Sequence, residues 1–566
     1  MNLRGVLSNW ELFAGSPEAV PRLRELILQL AVQGKLVPQD PKDEPASELL
    51  KKIKAEKERL VKEGNIKRDK PLAEIEEEEK PFELPEGWEW KRLGELCAYI
   101  QRGKGPDYVD RSEHRVVSQK CVRWRGLDLT PARFVTAESV AKLEEIRFLK
   151  AGDLLWNSTG TGTIGRACVV SGEQGKHRLS ADSHVTVVRP VFVDSWFVWR
   201  WIQSPYVQDE IEGSASGTTN QIELNTSTVI NHLIPLPPLA EQSRIVTRVQ
   251  ELMQLCDALE AKVTLEAQQH QTLLRTLLAT LTQSASSEDL AQNWQRVSEH
   301  FPLLLDRPEA IDALEQTILQ LAVRGLLVPQ NPMDEPASQL LKKIRTEKDK
   351  LILEGKIKRD KPLSPIAEDE QPFELPKGWE WASVGSVGVT QTGGTPASSR
   401  AEYFDGNIPF IGPGQIAPNG SMLPAAKFVS QLGSLESSVA EVDNILMVCI
   451  GGSIGKCAKA AYVTAFNQQI NSIHPVLLSS EYLLCAMSSV DFVNLVISAS
   501  TGSATPIINK GKWDLLPIPL PPLPEQHRIV TRVTELRQLC AALRSRLAQS
   551  SQLQAQLAQA LVSQAV

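Results

Sequence analysis

Apolar positions alternate in steps of four and three along two long stretches of the chain. The first runs Ile245, Val249, Leu252, Cys256, Leu259, Val263, and the second Ile529, Val533, Leu536, Cys540, Leu543, Leu547. That spacing predicts a coiled-coil seam kept over several heptads. Past polar Glu266 and His270 the first seam is expected to resume at Leu273 and Leu277, and the second at Leu557 and Leu561. Each seam follows a PLPPL run (235–239 and 519–523). Proline stiffens such a run and keeps it out of helix. Helix is therefore expected from about Ala240 and Pro524, with Glu241 and Glu525 facing the positive end of the dipole. About 40 residues at roughly 1.5 Å each make a rod roughly 60 Å long.

The two seams belong to a larger duplication. LQLAVQGKLVPQ (28–39) returns as LQLAVRGLLVPQ (319–330), and PFELPEGWEW (81–90) as PFELPKGWEW (372–381), both offset by 291. IPLPPLAEQSRIVTRV (234–249) returns as IPLPPLPEQHRIVTRV (518–533), offset by 284. The intervening stretches, about 91–233 and 382–517, are far less alike, so one nearly identical frame holds two different inserts. Further frame helices are predicted over 17–37 and 308–328, ending near Gly34 and Gly325. A second pair starts at 46 and 337 and ends at Gly64 and Gly355. Lys51, Lys52, Lys54 and Lys57 are interleaved with acids and read as a solvated helix face.

The expected organisation is α+β. Two mixed α/β insert domains are joined by long antiparallel coiled-coil-like helices with an internal pseudo-two-fold repeat. The segments are a helical frame piece over 1–88, a first insert domain over 89–236, and a central helical piece over 237–378. A second insert domain over 379–519 and a C-terminal helix over 520–566 complete the chain. The last helix lacks a following frame block and the first block lacks a preceding helix. Folding back would let the two chain ends rebuild the central piece, giving equivalent surfaces at both ends.

In the inserts, short β-rich runs alternate with Gly, Ser, Thr and Asn turns. AGDLLWNSTGTGTIGRACVV (151–170) parallels EVDNILMVCIGGSIGKCAKA (441–460), each a strand, a small-residue loop and a basic residue, Arg166 or Lys456. Gly160–Gly165 satisfies GxGxxG, but the strand-like ACVV follows where a dinucleotide site wants a helix. Gly451–Lys456 is one residue short of a P-loop, and Cys457 replaces its magnesium-binding hydroxyl. No HExxH, GxSxG or Cys/His set appears, so neither a catalytic group nor a metal site is expected.

Composition narrows the setting. The 566 residues carry 61 Lys and Arg against 68 Asp and Glu, a net charge of −7. An acidic chain can grip nucleic acid only through local patches. The first insert supplies one at 101–126, with Arg102, Lys104, Arg111, Arg115, Lys120, Arg123 and Arg125. The second insert is rich in amides, including Gln391, Gln415, Asn467, Gln468 and Gln469, which can pair with adenine. Eight scattered cysteines without a CxxC pair read as reduced and cytoplasmic. The absence of an 18-residue apolar run argues against a membrane span.

As a set, the PLPPLxEQxRIV block, the LQLAVxGxLVPQ and DEPAS blocks and the PxGWEW motif resemble the specificity subunit of type I restriction–modification systems. TQTGGTPASSRAEYFDGNIPFIGPGQI (390–416) likewise resembles the opening of many target-recognition domains of that family. The resemblance implies that each insert reads one half of a split, asymmetric site in double-stranded DNA. It implies helices that set the gap and dock two methyltransferase subunits, with restriction/translocase subunits added. S-adenosylmethionine, ATP and magnesium would sit on those partners, and this chain would bind no cofactor and catalyse nothing. From loop position and chemistry the expected DNA contacts are Arg102, Lys104, Arg123, Arg125, Asn157, Thr159, Thr161, Thr163, Arg166 and His184. In the second insert they are Thr392, Thr395, Gln415, Ser453, Lys456, Gln468, Gln469 and Ser503. Two rival readings are an assembly scaffold whose inserts bind protein or carbohydrate, and an enzyme with a nuclease or methyltransferase site assembled only in three dimensions.

Overall fold

A computed structural model describes residues 19–160, 162–215, 224–284, 286–358, 363–502 and 505–563. The chain divides into two compact units, residues 1–265 with 551–566, and residues 266–550. The end of the last helix is thus grouped with the N-terminal half, as the order of the repeats leads one to expect.

Each copy opens on two helices. Ala19–Val32 and its counterpart Pro308–Val323 bury a wide apolar stripe. They stop at Gly34 and Gly325, at φ of 69° and 68°. A Cβ on Gly34 would stand 2.6 Å from Pro85 and 3.0 Å from Trp88, so the left-handed stop and the close approach both demand glycine. Ala46–Lys62 and Ala337–Leu353 follow. Lys51, Lys52 and Lys54 are exposed, as the interleaved charges predict, whereas Lys57 turns inward, donates to Gly94 O at 2.7 Å and pairs with Asp69.

The chain then enters the insert through a strand that pairs with the strand by which it leaves. Glu89–Arg92 runs antiparallel to Leu233–Leu236, and Glu380–Ser383 to Pro517–Leu520. The GWEW and PLPP motifs are therefore the two sides of one neck. Within each insert a four-stranded antiparallel sheet has the same order. It reads Cys97–Arg102, Val185–Pro190, Leu154–Asn157, Ala167–Val169 in the first. In the second it reads Gly388–Thr392, Ile470–Pro475, Ile445–Val448, Cys457–Lys459. A second sheet shares three strands between the copies. Its fourth strand lies on opposite edges, Tyr108–Val109 beside Arg133–Val135 in one and Ser438–Ala440 beside Thr464–Phe466 in the other.

The long helices run Leu239–Thr282 and Leu523–Ser563. Ile245, Val249, Leu252 and Cys256 are buried, with Leu259 partly so, against Leu23, Ile27 and Leu30 of the leading helix. Val263 departs from the expected seam and is 45% exposed, because it lies one turn beyond Leu259, the last seam residue in that cluster. Ile529, Val533 and Cys540 are buried, with Leu536, Leu543 and Leu547 packed beside them, in a core shared with Pro308–Val323. That core also holds Leu274, Leu278 and Leu281. Leu273, expected on the seam, is exposed. The register shifts by one residue because the partner changes, from the leading helix to the helices of residues 287–323. The far end of one long helix thus shares a core with the near half of the other, which an antiparallel pairing requires. Leu557 is exposed too, and the side chain of Leu561 lies outside the described residues.

All eight cysteines are buried and free, four in each copy. Burial pushes Cys168 and Cys449 up to about 12, and Cys457, Cys485 and Cys540 up to about 11. Among the described residues no single helix is long and apolar enough to cross a membrane, and no group of His, Cys, Asp or Glu is gathered as metal ligands.

Candidate nucleic-acid interface

Three loops meet at one end of each antiparallel sheet, and backbone hydrogen bonds define which residues correspond. The Asn157 N–H donates to Arg166 O (2.8 Å), and the Val448 N–H donates to Lys456 O (2.8 Å). The Ser158 N–H donates to His184 O (2.9 Å) and the Cys449 N–H to Gln469 O (2.7 Å). A third segment joins through the N–H of Leu224 to Ser158 O and of Ile508 to Cys449 O, both 2.9 Å. The first strand ends against the same corner. A Cβ on Gly103 would lie 2.0 Å from Ala181 O, and one on Gly393 2.1 Å from Asn467 O. Only glycine lets the loops touch there.

The Thr163 N–H donates to Gly160 O at 3.0 Å, and the loop passes straight into the strand Ala167–Val169, as does its counterpart into Cys457–Lys459. No helix follows either one, so neither the dinucleotide nor the P-loop geometry is present.

On this platform the side chains differ. Arg102 stands opposite Thr186 at the end of its strand, whereas Thr392 in the same place donates to Asn471 Oδ1 at 2.8 Å. His184 Nδ1 is hydrogen-bonded to the Thr159 hydroxyl at 2.6 Å. Its counterpart Gln469 accepts from Asn467 Nδ2 at 3.1 Å. Thr395 donates to Gln468. Lys104, His184, Thr392, Thr395 and Gln468 are exposed, and Thr159, Arg166, Ser453, Lys456 and Gln469 are partly so. Among the described residues, the charge the two platforms share is the cation that closes the loop, Arg166 or Lys456.

Three expected contacts are placed differently. Asn157 is fully buried, and its amide donates to Gln119 O (3.1 Å) and Thr163 O (3.2 Å). It anchors the loop from beneath and does not reach DNA, because it is the last inward-facing residue of a strand buried on both faces. Thr163 is turned onto Gln119 Oε1 (3.2 Å) and the Thr159 and Gly160 carbonyls. Gln415 accepts from the Gly412 N–H at 3.0 Å, in its own turn. Thr161 and Ser503 lie outside the described residues.

Arg123 and Arg125 sit on a separate hairpin, Val122–Arg123 with Gly126–Leu127. Both are exposed, and with Arg166, Trp124 and Trp196 they line one open groove. The matching turn of the second insert carries Ala417, Pro418 and Asn419, without a cation.

The residues that spacing did not single out are the supports. Gln119 holds both Asn157 and Thr163. Asp182 is 2% exposed and accepts from the His184 N–H at 2.9 Å, and burial raises its pKa despite that bond. Ser158 and Thr186 share a buried hydroxyl pair at 2.5 Å. The polar corner SADSH marks Asp182 in the sequence, whereas nothing in the spacing marks Gln119.

The family model described as the type I restriction modification DNA specificity domain matches residues 85–269 and again 376–550. The chain is 36% identical over 578 residues to the type I restriction enzyme EcoAI specificity subunit of Escherichia coli, covering 97% of this chain and 94% of that one. It is 36% identical over 568 residues to the EcoEI specificity subunit of the same species, with the same coverage. A chain solved in work on complex assembly and conformational transition of the type I R-M system aligns with a TM-score of 0.51 at 21% identity. That alignment spans 86% of this chain and 99% of that one, and supports the fold.

Proposed function

The chain belongs to the family of type I restriction–modification DNA specificity subunits, and from that premise we propose that residues 89–236 and 379–519 are two target readers, each taking one half of a split, asymmetric DNA sequence. The observation that carries this reading is the pair of matching loop platforms. They share one cation and differ at the positions around it: Arg102 against Thr392 and His184 against Gln469. A shared phosphate anchor with unlike base-facing groups is what two different half-sites on one duplex require. The hairpin with Arg123 and Arg125 extends the contact of the first reader alone.

The long helices set the gap between the halves and dock two methyltransferase subunits. Phe192 and Leu477 support two equal docking places. Both follow the same strand, both hold positive φ (54° and 57°), and about half of each side chain is exposed. A bulky apolar residue in that backbone conformation is costly and persists where something uses it. The chain performs no chemistry in this reading. The methyltransferase subunits carry S-adenosylmethionine and methylate adenine, and restriction/translocase subunits carry ATP and magnesium, all in the cytoplasm. Because this chain is acidic overall, the partners also supply part of the phosphate clamp.

Two measurements test the reading. Co-expression with the methyltransferase and genome-wide mapping of methyladenine is expected to return one bipartite motif. Exchanging residues 382–517 for another insert should change one half only, and a change in both halves, or in neither, would sink it. Arg166→Ala and Lys456→Ala are each expected to weaken DNA binding by the assembled complex about tenfold and to flatten the salt dependence by about one unit of slope, leaving base preference intact. Unchanged affinity at every salt would remove these loops from the interface.

A further inference from the structure

The start of each long helix is tied to its insert, and to the frame segment before that insert, by the same three contacts. Gln242 is fully buried in the helix's first turn. Its Oε1 accepts from the Asp194 N–H at 2.8 Å, and its Nε2 donates to Pro237 O at 2.9 Å. Asp194 is the N-cap of the insert helix Ser195–Gln203. One amide therefore bridges the long helix, the proline neck and the body of the insert. Beside it Glu241, 2% exposed, accepts from Trp88 Nε1 at 2.9 Å, and Trp88 lies edge-on to Phe197 of the same insert helix. Outside, Arg244 grips Asp43 at 2.5 Å.

The second copy repeats every part. Gln526 accepts from the N–H of Ser479, the N-cap of Ser480–Ser488, and donates to Pro521 O, both at 3.0 Å. Glu525 accepts from Trp379 Nε1 at 3.0 Å, Trp379 stands edge-on to Tyr482, and Arg528 pairs with Asp334 at 2.8 Å. The inserts differ almost everywhere else, yet each presents a helix cap to the same glutamine.

A proline neck alone fixes neither the pitch nor the roll of a helix against the domain it leaves. The glutamine does, because one of its bonds goes to the neck and the other to the helix cap in the body of the insert. We propose that Gln242 and Gln526 are positioning residues for DNA recognition: they hold each reader at a fixed angle to its spacer helix, and so set how strictly the complex counts the base pairs between half-sites. The inference rests on the functional reading above, and extends it from helix length to the joint.

The test uses the full chain assembled with its methyltransferase subunits, acting on a DNA library in which the two half-sites are separated by every spacer from two shorter to two longer than the natural one. Gln242→Met and Gln526→Met keep the volume and remove both hydrogen bonds. Discrimination against spacers one base pair too short or too long is expected to fall roughly tenfold or more, the factor carried by one to two net buried hydrogen bonds. Both half-site sequences should stay the same. Leu446→Ala, a fully buried core change within the second insert and away from the joint, serves as a control of comparable destabilisation and should lower total methylation without broadening the spacer. Where the methionine variants do not assemble, Gln242→Asn and Gln526→Asn, one methylene short, read the same quantity. A single sharp spacer retained in the glutamine variants overturns the lock. A natural complex with no preferred spacer overturns the functional reading itself.

Discussion

Asp153→Ala is expected to cost the first recognition domain about 3–5 kcal/mol, the largest single effect predicted for this chain. Asp153 is fully buried and holds Arg189 through two bonds, at 2.6 and 2.7 Å. Arg189 spends its other donors on the Ile146 and Phe148 carbonyls. Its side chain is only 15% exposed, so removing the carboxylate strands a cation in the core. The second copy shows that the site needs no carboxylate. There Asn444 takes the place of Asp153, and its Oδ1 is hydrogen-bonded to His474 Nδ1 at 2.7 Å. Asp153→Ala together with Arg189→Met should therefore recover much of the loss. Hydrogen exchange of the strand Leu154–Asn157 measures both. Protection in Asp153→Ala equal to that of the parent chain would show that the pair contributes nothing.

Acid is expected to open the first recognition domain before the second. His232 accepts from Trp201 Nε1 at 3.1 Å and lies edge-on to Trp156. Burial holds its pKa down to about 4, against 6.5 for a free histidine. As pH falls, the unfolded chain takes up this proton first. The stability of the neutral ring is whole above about 6.5 and declines from there to about 4. At about 1.4 kcal/mol per pH unit the loss reaches roughly 3 kcal/mol. The equivalent place in the second copy, marked by the backbone bond that Val384 makes to it as Leu93 does to His232, is Leu516. His232→Leu should then remove the difference between the halves. Exchange that accelerates equally in both copies between pH 6.5 and 4 would assign the acid response elsewhere.

The frame was legible because helices and necks obey local rules that repeat. Gly34 and Gly325 end their helices where the spacing expects, and the proline runs give way to helix within a residue of Ala240 and Pro524. The seam was legible as a period but not as a partnership. Ile245 to Leu259 have the spacing of a coiled coil, yet their apolar partner is the leading helix of their own copy, and periodicity carries no information about which surface a stripe will meet. Leu273 and Val263 fall outside the seam for the same reason. In the inserts, Arg166 and Lys456 could be found by matching loop to loop. Asn157 could not be told from a surface residue, because the strand that carries it is buried on both faces and shows no alternation. Gln119 belongs to the platform only through contacts 38 and 44 residues away. Glu241 and Glu525, read as helix-dipole partners, turn out to be acceptors for buried tryptophans.

The buried cysteines give the molecule a clock. Each copy hides four thiols, one in the long helix and three in the insert, and none is reactive while its surroundings stay closed. Cys256 and Cys540 time the parting of each long helix from its leading helix. Cys97, Cys121 and Cys168 time the opening of one reader, and Cys449, Cys457 and Cys485 the other. A chain without a surface thiol is indifferent to mild oxidants when folded, and it records, position by position, which of its duplicated parts has come apart first.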